Sequence, residues 1–208
     1  KYITGMMKMD GFERRKERKK ESIRRAALEL FRRYGFEKVS VRDIAQEANV
    51  SPVTIYNHFG SKDNLVREVI KNLLHTILNK YRGTIRGEGT FRQKLETIVF
   101  DKLKLMEQFQ GELVQAVIRS DPDMRVFIES LWQNEIYPVM GDFFEQGRRE
   151  GYVDSGLSER SIMAYYDILR HGIFAYMGTD NAGQNGKLMR ELMSIFLYGL
   201  VGSSGSRL

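Results

Sequence analysis

The sequence predicts an all-α fold of about nine helices. Apolar residues recur at helical spacing along most of the 208 residues. No segment alternates apolar and polar residues with the period of two that marks a half-buried strand. Serine, proline and glycine stand where these periodic segments begin and end. Together the three observations predict helices throughout, joined by short connections.

The first helix is predicted to begin at Glu13, and residues 1–12, which show no periodicity, are expected to be a flexible arm. Gly35 follows the last apolar residue of the pattern and suits the left-handed conformation that ends many helices. The apolar residues fall at i, i+3, i+4, i+7, i+8 and i+11, one face of a helix: Ile23, Ala26, Ala27, Leu30, Phe31 and Tyr34.

Serines mark the starts of two short helices that follow. Ser40 can cap the second helix while Asp43 reaches back to complete a capping box. Asn49 tolerates the left-handed backbone conformation and is expected in the turn. Ser51 and Pro52 suit the N-cap and the first position of the third helix.

A fourth, long helix is predicted from Ser61 to Tyr81. The segment 82–89 has three glycines and little apolar content, so it predicts a loop and a domain boundary. Pro138 should bend one of the later helices. We assign residues 13–60 to an N-terminal domain and residues 61–201, which include the fourth helix, to a larger helical domain. Beyond the loop the pattern predicts helices at about 90–108, 111–119, 122–149, 158–177 and 185–201.

Positive charge is concentrated towards the N-terminus. Residues 1–82 carry 19 Lys and Arg against 10 Asp and Glu, whereas residues 83–208 carry 14 against 17. The whole chain has a net charge of +6. A basic end on a mildly acidic body suggests contact with a polyanion, and a solvated charged helix is the alternative.

Composition argues against several other classes of protein. No apolar run is long enough to cross a membrane, and the N-terminus lacks the apolar stretch of a signal peptide, so a cytoplasmic protein is expected. Without cysteine, disulfides, thiolate chemistry and cysteine-based zinc sites are excluded. His58, His75 and His171 lack metal-ligand spacing, and no hydrolase or nucleotide-binding motif occurs. We therefore expect no enzyme, no catalytic residue, no metal site and no cofactor.

Residues 41–59 have the layout of a helix-turn-helix, whose second helix can lie in the major groove of DNA. Its inward positions are apolar. The remaining side chains of the third helix are short or can form hydrogen bonds to base edges and phosphates. A surface helix with a few polar residues is the alternative interpretation. These side chains belong to Pro52, Val53, Thr54, Tyr56, Asn57 and His58.

The same region resembles the TetR family of repressors over about residues 20–70. Three departures from the family pattern are Ser40, where Thr is commoner, Asn64, where the family often has Glu, and Pro52, whose position is variable. The resemblance is carried by Phe31-x-x-Tyr34-Gly35-Phe36, by the runs 40–45 and 49–59, and by Ser61-Lys62.

The resemblance implies that the third helix faces a double-stranded DNA operator, with Tyr56 and His58 on phosphates. The start of the second helix would bind phosphate with help from the helix dipole. The basic run 14–20 would follow the DNA backbone or enter the minor groove. The implied DNA-binding residues are Ser40, Arg42, Pro52, Val53, Thr54, Tyr56, Asn57, His58 and Lys62.

The resemblance also implies a homodimer formed by the helices at about 158–177 and 185–201, reading a palindromic operator. A small lipophilic effector would release the repressor by binding its DNA-incompetent state more tightly. The alternatives are an activator of the same architecture and a protein–protein interaction module that has lost DNA binding. Pocket candidates, each more readily explained as an ordinary core position, are Phe109, Phe127, Leu131, Trp132, Tyr137, Tyr166 and His171.

Overall fold

The computed structural model describes residues 11–109, 121–176, 191, 192 and 195. Within these residues it contains eight α-helices, a π-helical turn and no strand, so the predicted all-α fold is confirmed. The predicted helices at 111–119 and 185–201 lie outside the described residues, apart from three positions of the second. The helices are α1 (Gly11–Tyr34), α2 (Val41–Glu47), α3 (Pro52–Phe59), α4 (Lys62–Arg86), α5 (Phe91–Phe109), α6 (Pro122–Leu131), α7 (Tyr137–Arg149) and α8 (Glu159–Tyr176), with the π turn at Trp132–Ile136.

The chain forms two compact units, residues 1–74 and residues 75–208. The division falls inside α4, so this helix contributes its first turns to the smaller unit and its remainder to the larger one. None of the helices in the described part of the chain is long and apolar enough to cross a lipid bilayer.

The smaller unit is built around a core shared by α1, α2, α3 and the start of α4. The apolar stripe of α1 is buried from Ile23 to Phe31, as its spacing predicted, whereas Tyr34 at its end is exposed. Each large apolar side chain buried in this way contributes roughly 1.5–3 kcal/mol to stability. The other helices contribute Val41, Ile44, Ala45, Ile55, Phe59, Leu65, Val66, Val69 and Ile70.

The larger unit has its core between α5, α7 and α8. The ring of Phe91 stacks on that of Phe143, with centroids 4.4 Å apart, and both pack with Val153 and Ile162. A Cβ atom at Gly147 would lie 2.7 Å from Val153 and 2.8 Å from Phe91. Only glycine therefore allows α7 to approach this core so closely.

Two predicted helix boundaries were wrong. The helix α1 begins at Gly11 rather than Glu13, so the end of the expected flexible arm is helical. The helix α4 continues through the predicted loop to Arg86. The ~1 kcal/mol cost of a glycine inside a helix is offset there because Ile85 is buried and its carbonyl accepts a hydrogen bond from Lys94 Nζ at 2.8 Å.

The predicted helix at 122–149 is interrupted rather than simply bent. Pro138 has no N–H group, so the α-helical bond to the carbonyl four residues earlier cannot form. The N–H of Tyr137 donates instead to the carbonyl of Trp132, five residues back, which is the π-helical pattern. The interruption therefore lies just before the proline that the sequence singled out.

Candidate nucleic-acid interface

The start of α2 is fixed by the predicted capping box. The N–H of Ser40 donates to Asp43 Oδ2 at 2.8 Å, and the N–H of Asp43 donates to Ser40 Oγ at 3.2 Å. The hydroxyl of Ser40 donates to the same carboxylate at 2.7 Å. The two hydrogen bonds that Ser40 donates to this carboxylate lower the pKa of Asp43, and the bond from the hydroxyl has the larger effect. The Ser40 hydroxyl is thus engaged in folding, while Arg42 beside it is exposed.

The turn between α2 and α3 depends on one left-handed residue. Asn49 has φ of +51°, the only positive φ of a non-glycine residue in the part of the chain that the structure describes. The N–H of the next residue, Val50, reaches back to the carbonyl of Ala45 at 2.9 Å. This closure reverses the chain tightly and fixes the direction in which α3 leaves α2.

The helix α3 is capped at both ends, and the cap at its start is the serine that the sequence predicted. Ser51 Oγ accepts a hydrogen bond from the N–H of Thr54 at 3.1 Å, and the two hydroxyl oxygens are 2.9 Å apart. At the other end Gly60 has φ of +77° and donates its N–H to the carbonyl of Tyr56 at 2.8 Å. The helix is therefore limited to the eight residues Pro52–Phe59.

The two faces of α3 differ sharply in exposure. Ile55 and Phe59 are buried against the rest of the unit. On the outer face, Val53 is 64% exposed and Tyr56 is 51% exposed, and Asn57 is also exposed. Large apolar and aromatic side chains held in solvent on a rigid helix suit a surface that meets a partner. Of the other proposed contacts, Pro52 is exposed, and Thr54 and His58 are half-buried.

Lysines of α1 lie beside the end of α3. Lys20 Nζ is 5.9 Å from the centroid of the Phe59 ring. Burial lowers the pKa of His58, and the positive charges of Lys20, Lys16 and Lys19 lower it further. Nothing in the linear sequence pattern shows that this basic run and α3 meet.

Lys62, expected on a DNA phosphate, has a structural partner in the same unit. Its Nζ donates to the carbonyl of Phe36 at 2.9 Å and so ties the α1–α2 connection to the start of α4. An ammonium group has three N–H donors, so this bond leaves donors for a further contact. Ser61 caps α4 by accepting the N–H of Asn64 at 3.1 Å.

The larger unit brings together three of the seven pocket candidates. The ring of Trp132 lies 5.5 Å from that of Tyr166 and 6.4 Å from that of Tyr137. Tyr81 of α4 belongs to the same region and was missed by the sequence analysis. Burial, followed by the nearby charges of Asp101 and Tyr166, raises the pKa of Tyr81 to about 12. Its hydroxyl is therefore neutral at physiological pH and able to donate a hydrogen bond.

The remaining candidates lie elsewhere in this unit. Leu131 is buried in the core, and Phe127 packs edge-on against His75 with centroids 5.7 Å apart. His171 is exposed on α8, where its Nδ1 lies 2.9 Å from the carbonyl of Asp167. The side chain of Phe109 lies outside the described residues.

Comparison with known proteins identifies the N-terminal segment. Residues 23–69 match the profile described as bacterial regulatory proteins, tetR family. The match includes the capping box, the turn and the whole of α3. The matched residues are also those whose capping and burial define the helix-turn-helix.

Two curated relatives are transcriptional regulators. The chain is 29% identical over 96 residues to the uncharacterized regulator YvdT of Bacillus subtilis, covering 46% of this chain and 50% of YvdT. It is 24% identical over 144 residues to the transcriptional repressor KstR2 of Rhodococcus jostii, covering 68% of this chain and 67% of KstR2. The chain thus spans half the length of one relative and two thirds of the other.

A solved structure shares the fold. FadR from Bacillus subtilis, crystallised in complex with stearoyl-CoA, superposes with a TM-score of 0.61 at 18% identity, over 86% of this chain and 98% of FadR. Residues 23–69 therefore match the tetR family of bacterial regulatory proteins, and the chain has the fold of a solved regulator, FadR.

Proposed function

We propose that this protein is a sequence-specific repressor that binds a palindromic operator as a homodimer and is released by a small lipophilic effector. The outer face of α3 carries the DNA-binding part of the proposal. It presents Val53, Tyr56 and Asn57 to solvent on a helix whose ends are fixed by Ser51 and Gly60. No carboxylate interrupts this face, which favours DNA over the alternative of a protein partner.

The roles of individual residues follow from where they lie. Val53 and Asn57 lie on the side of α3 opposite its buried residues, where a methyl group and an amide can read base edges in the major groove. Thr54, Pro52, Tyr56 and His58 flank them, and their contacts are with phosphates and the groove wall. Ser40, Arg42 and Lys62, at the starts of α2 and α4, complete the proposed phosphate contacts.

A dimer is required because two turns of one helix contact only a few base pairs. Two copies related by a two-fold axis would read half-sites roughly 34–36 Å apart, or a multiple of that distance. Repression is supported by the name of KstR2, a repressor that is 24% identical over most of this chain.

The effector site is proposed in the larger unit, near Trp132, Tyr137, Tyr166 and Tyr81. Aromatic rings provide apolar contact area, and the hydroxyl of a neutral tyrosine can donate a hydrogen bond to a polar end of the ligand. The complex of FadR with stearoyl-CoA supports a lipophilic class of effector. Release requires that the effector bind the DNA-incompetent state more tightly than the competent one.

Selection of bound duplexes from a random library tests DNA recognition, and enrichment of a palindrome is expected. Replacement of Tyr56 by alanine should then weaken binding to the selected site by roughly 1–3 kcal/mol, or about 5- to 150-fold, with little change in thermal unfolding. Tyr34→Ala is the matched control, because Tyr34 is equally exposed at 57% in the same unit but lies outside α3. Failure to enrich any palindrome, or equal effects of the two substitutions, contradicts the proposal.

A further inference from the structure

Aromatic rings of the larger unit are arranged in two different ways. In the core, the rings of Phe91 and Phe143 stack at an interplanar angle of 28°, and both side chains are buried. Around Trp132 the rings are splayed instead, with Tyr166 at 52° and 5.5 Å and Tyr137 at 64° and 6.4 Å. These three side chains are only half-buried. The splayed rings therefore keep surface that the packing of this unit leaves uncovered.

A carboxylate belongs to the same group of side chains. Asp101 of α5 and Tyr166 of α8 both act electrostatically on Tyr81 of α4, and the ring of Tyr166 lies beside that of Trp132. Trp132 is the first residue of the π turn, and such turns occur frequently at functional sites. We call this group the aromatic–acid cluster, which consists of Tyr81, Asp101, Trp132, Tyr137 and Tyr166.

Asp101 is the more buried partner of its ion pair. Its Oδ2 lies 2.5 Å from Lys80 Nζ, and its side chain is 19% exposed whereas that of Lys80 is 59% exposed. The same oxygen is shielded from water, and among the described residues no group, Lys80 included, meets it with the geometry of a hydrogen bond. An ion pair with so exposed a partner stabilises the protein little. Another cation can therefore take the place of Lys80 beside this carboxylate.

The chemistry of the cluster favours one sign of charge on a ligand. The faces of tryptophan and tyrosine rings attract a cation that lies within about 6 Å of the ring centroid, and groups of such rings recognise quaternary ammonium ions. A carboxylate that is largely removed from water attracts a cation and repels an anion more strongly than it would in solvent. The neutral hydroxyl of Tyr81 adds no opposing charge. The cluster therefore suits a positively charged group.

We propose that the effector is a lipophilic cation whose ammonium group is held by Asp101 and by the rings of Trp132 and Tyr166. This inference rests on the proposed effector site and assigns the charge of its ligand. The apolar part of the ligand packs on the remaining ring surface of the aromatic–acid cluster. Lys80 competes with the ligand for Asp101 and turns towards solvent when the ligand is bound.

Three probes with the same alkyl chain and different charge test the assignment on the full-length protein: octyltrimethylammonium, 1-octanol and octanoate. Trp132 is the only tryptophan of the chain, so a change in its fluorescence reports binding at the cluster. The wild type should bind the cation at least about ten-fold more tightly than octanoate, with 1-octanol between them. Far-ultraviolet circular dichroism should show the same helix content with each probe.

Three substitutions separate the role of the carboxylate from that of a general apolar surface. Asp101→Asn keeps the size of the side chain and removes its charge, so affinity for octyltrimethylammonium should fall about ten-fold or more and that for 1-octanol by less than about two-fold. Lys80→Gln removes the competing cation from an exposed position and should raise affinity for octyltrimethylammonium. Glu135→Gln is the matched control, because Glu135 lies in the π turn but is already paired with Arg82 at 3.0 Å. It should leave the affinities for all three probes unchanged.

The outcomes separate this inference from the proposed function. The cationic effector is rejected if octyltrimethylammonium does not change the fluorescence of Trp132, or if octanoate binds more tightly. It is also rejected if Asp101→Asn and Glu135→Gln lose equal affinity, or if Lys80→Gln weakens binding of the cation. Absence of operator binding by the ligand-free wild type rejects the proposed function, whatever the probes show. If octanoate alone releases the operator, the proposed release by an effector stands and only its positive charge is rejected.

Discussion

At the level of single residues, the best-predicted contacts are those between neighbours in the chain. Ser40 with Asp43, and Ser51 with Thr54, lie three residues apart, and that spacing brings their groups together in any helix N-terminus. The bond from Lys62 to the carbonyl of Phe36 joins residues 26 positions apart. No local pattern encodes such a contact, because it depends on how the helices pack.

The altered pKa of His58 predicts an acid-sensitive stability. Burial and the lysines of α1 lower this pKa in the folded protein, so folding favours the neutral ring. The resulting stability is fully present above the ordinary pKa of about 6.5 and is lost as pH falls through the lower folded value. Between about pH 7.5 and pH 5.5, the thermal unfolding temperature should therefore change less with pH in His58→Gln than in the wild type.

His171→Gln is the control for this measurement, because His171 is exposed in the other unit. The pH dependence should change more in His58→Gln than in His171→Gln. Asp43 and Glu150 do not interfere, since hydrogen bonds lower the pKa of each and both stay ionised in this range. If thermal unfolding of His58→Gln depends on pH as strongly as that of the wild type, His58 is not the source of the acid-sensitive stability.

At the level of helices, boundaries set by local caps were predicted better than those set by packing between helices. Ser40, Ser51 and Ser61 were found because a cap acts within one turn. The end of α4 was missed because its continuation past Gly83 depends on the burial of Ile85 and on Lys94, a residue of the next helix. Similarly, Pro138 marked an interruption, but a π turn is recognised only from the bond between Tyr137 and Trp132.

The turn between α2 and α3 gives a prediction at this level. Asn49→Val should lower the free energy of unfolding by about 1–2 kcal/mol, because a side chain branched at Cβ is strained at the observed φ of +51°. Asn49→Gly should change it by less than roughly 0.5 kcal/mol, because glycine adopts this conformation readily. Urea unfolding of both variants measures the difference, and equal stabilities would show that the turn does not need a left-handed residue.

At the level of the whole molecule, positive charge is concentrated in the smaller unit, and the larger unit exposes apolar side chains on α8. The basic residues are concentrated in the N-terminal part, with the helix-turn-helix. The helix α8 of the other unit exposes Ile168, at 68%, and Tyr165, at 36%. The family resemblance implied a dimer on this helix but did not single out Ile168, since periodicity alone does not show which of several apolar residues the chain's own core buries.

The proposed dimer is tested at Ile168. If α8 packs against a second copy, Ile168→Glu places a charge in an apolar interface without a partner, which is strongly unfavourable. Light scattering after size-exclusion chromatography should then show a monomer where the wild type is a dimer. Affinity for the palindrome should fall towards that for a single half-site, because each monomer brings only one α3 to the DNA.

Val126→Glu separates this effect from a general response to surface charge. Val126 is as exposed as Ile168, at 71%, but lies on α6, so its variant should remain a dimer and keep its operator affinity. If both variants remain dimeric, the dimer interface lies elsewhere. If both become monomeric, the interface extends over α6. A monomeric wild type that still binds the palindrome tightly would reject the dimer and require a second DNA contact within one chain. Dimerisation is assigned to α8, and linked to operator affinity, only if Ile168→Glu is monomeric while Val126→Glu remains dimeric.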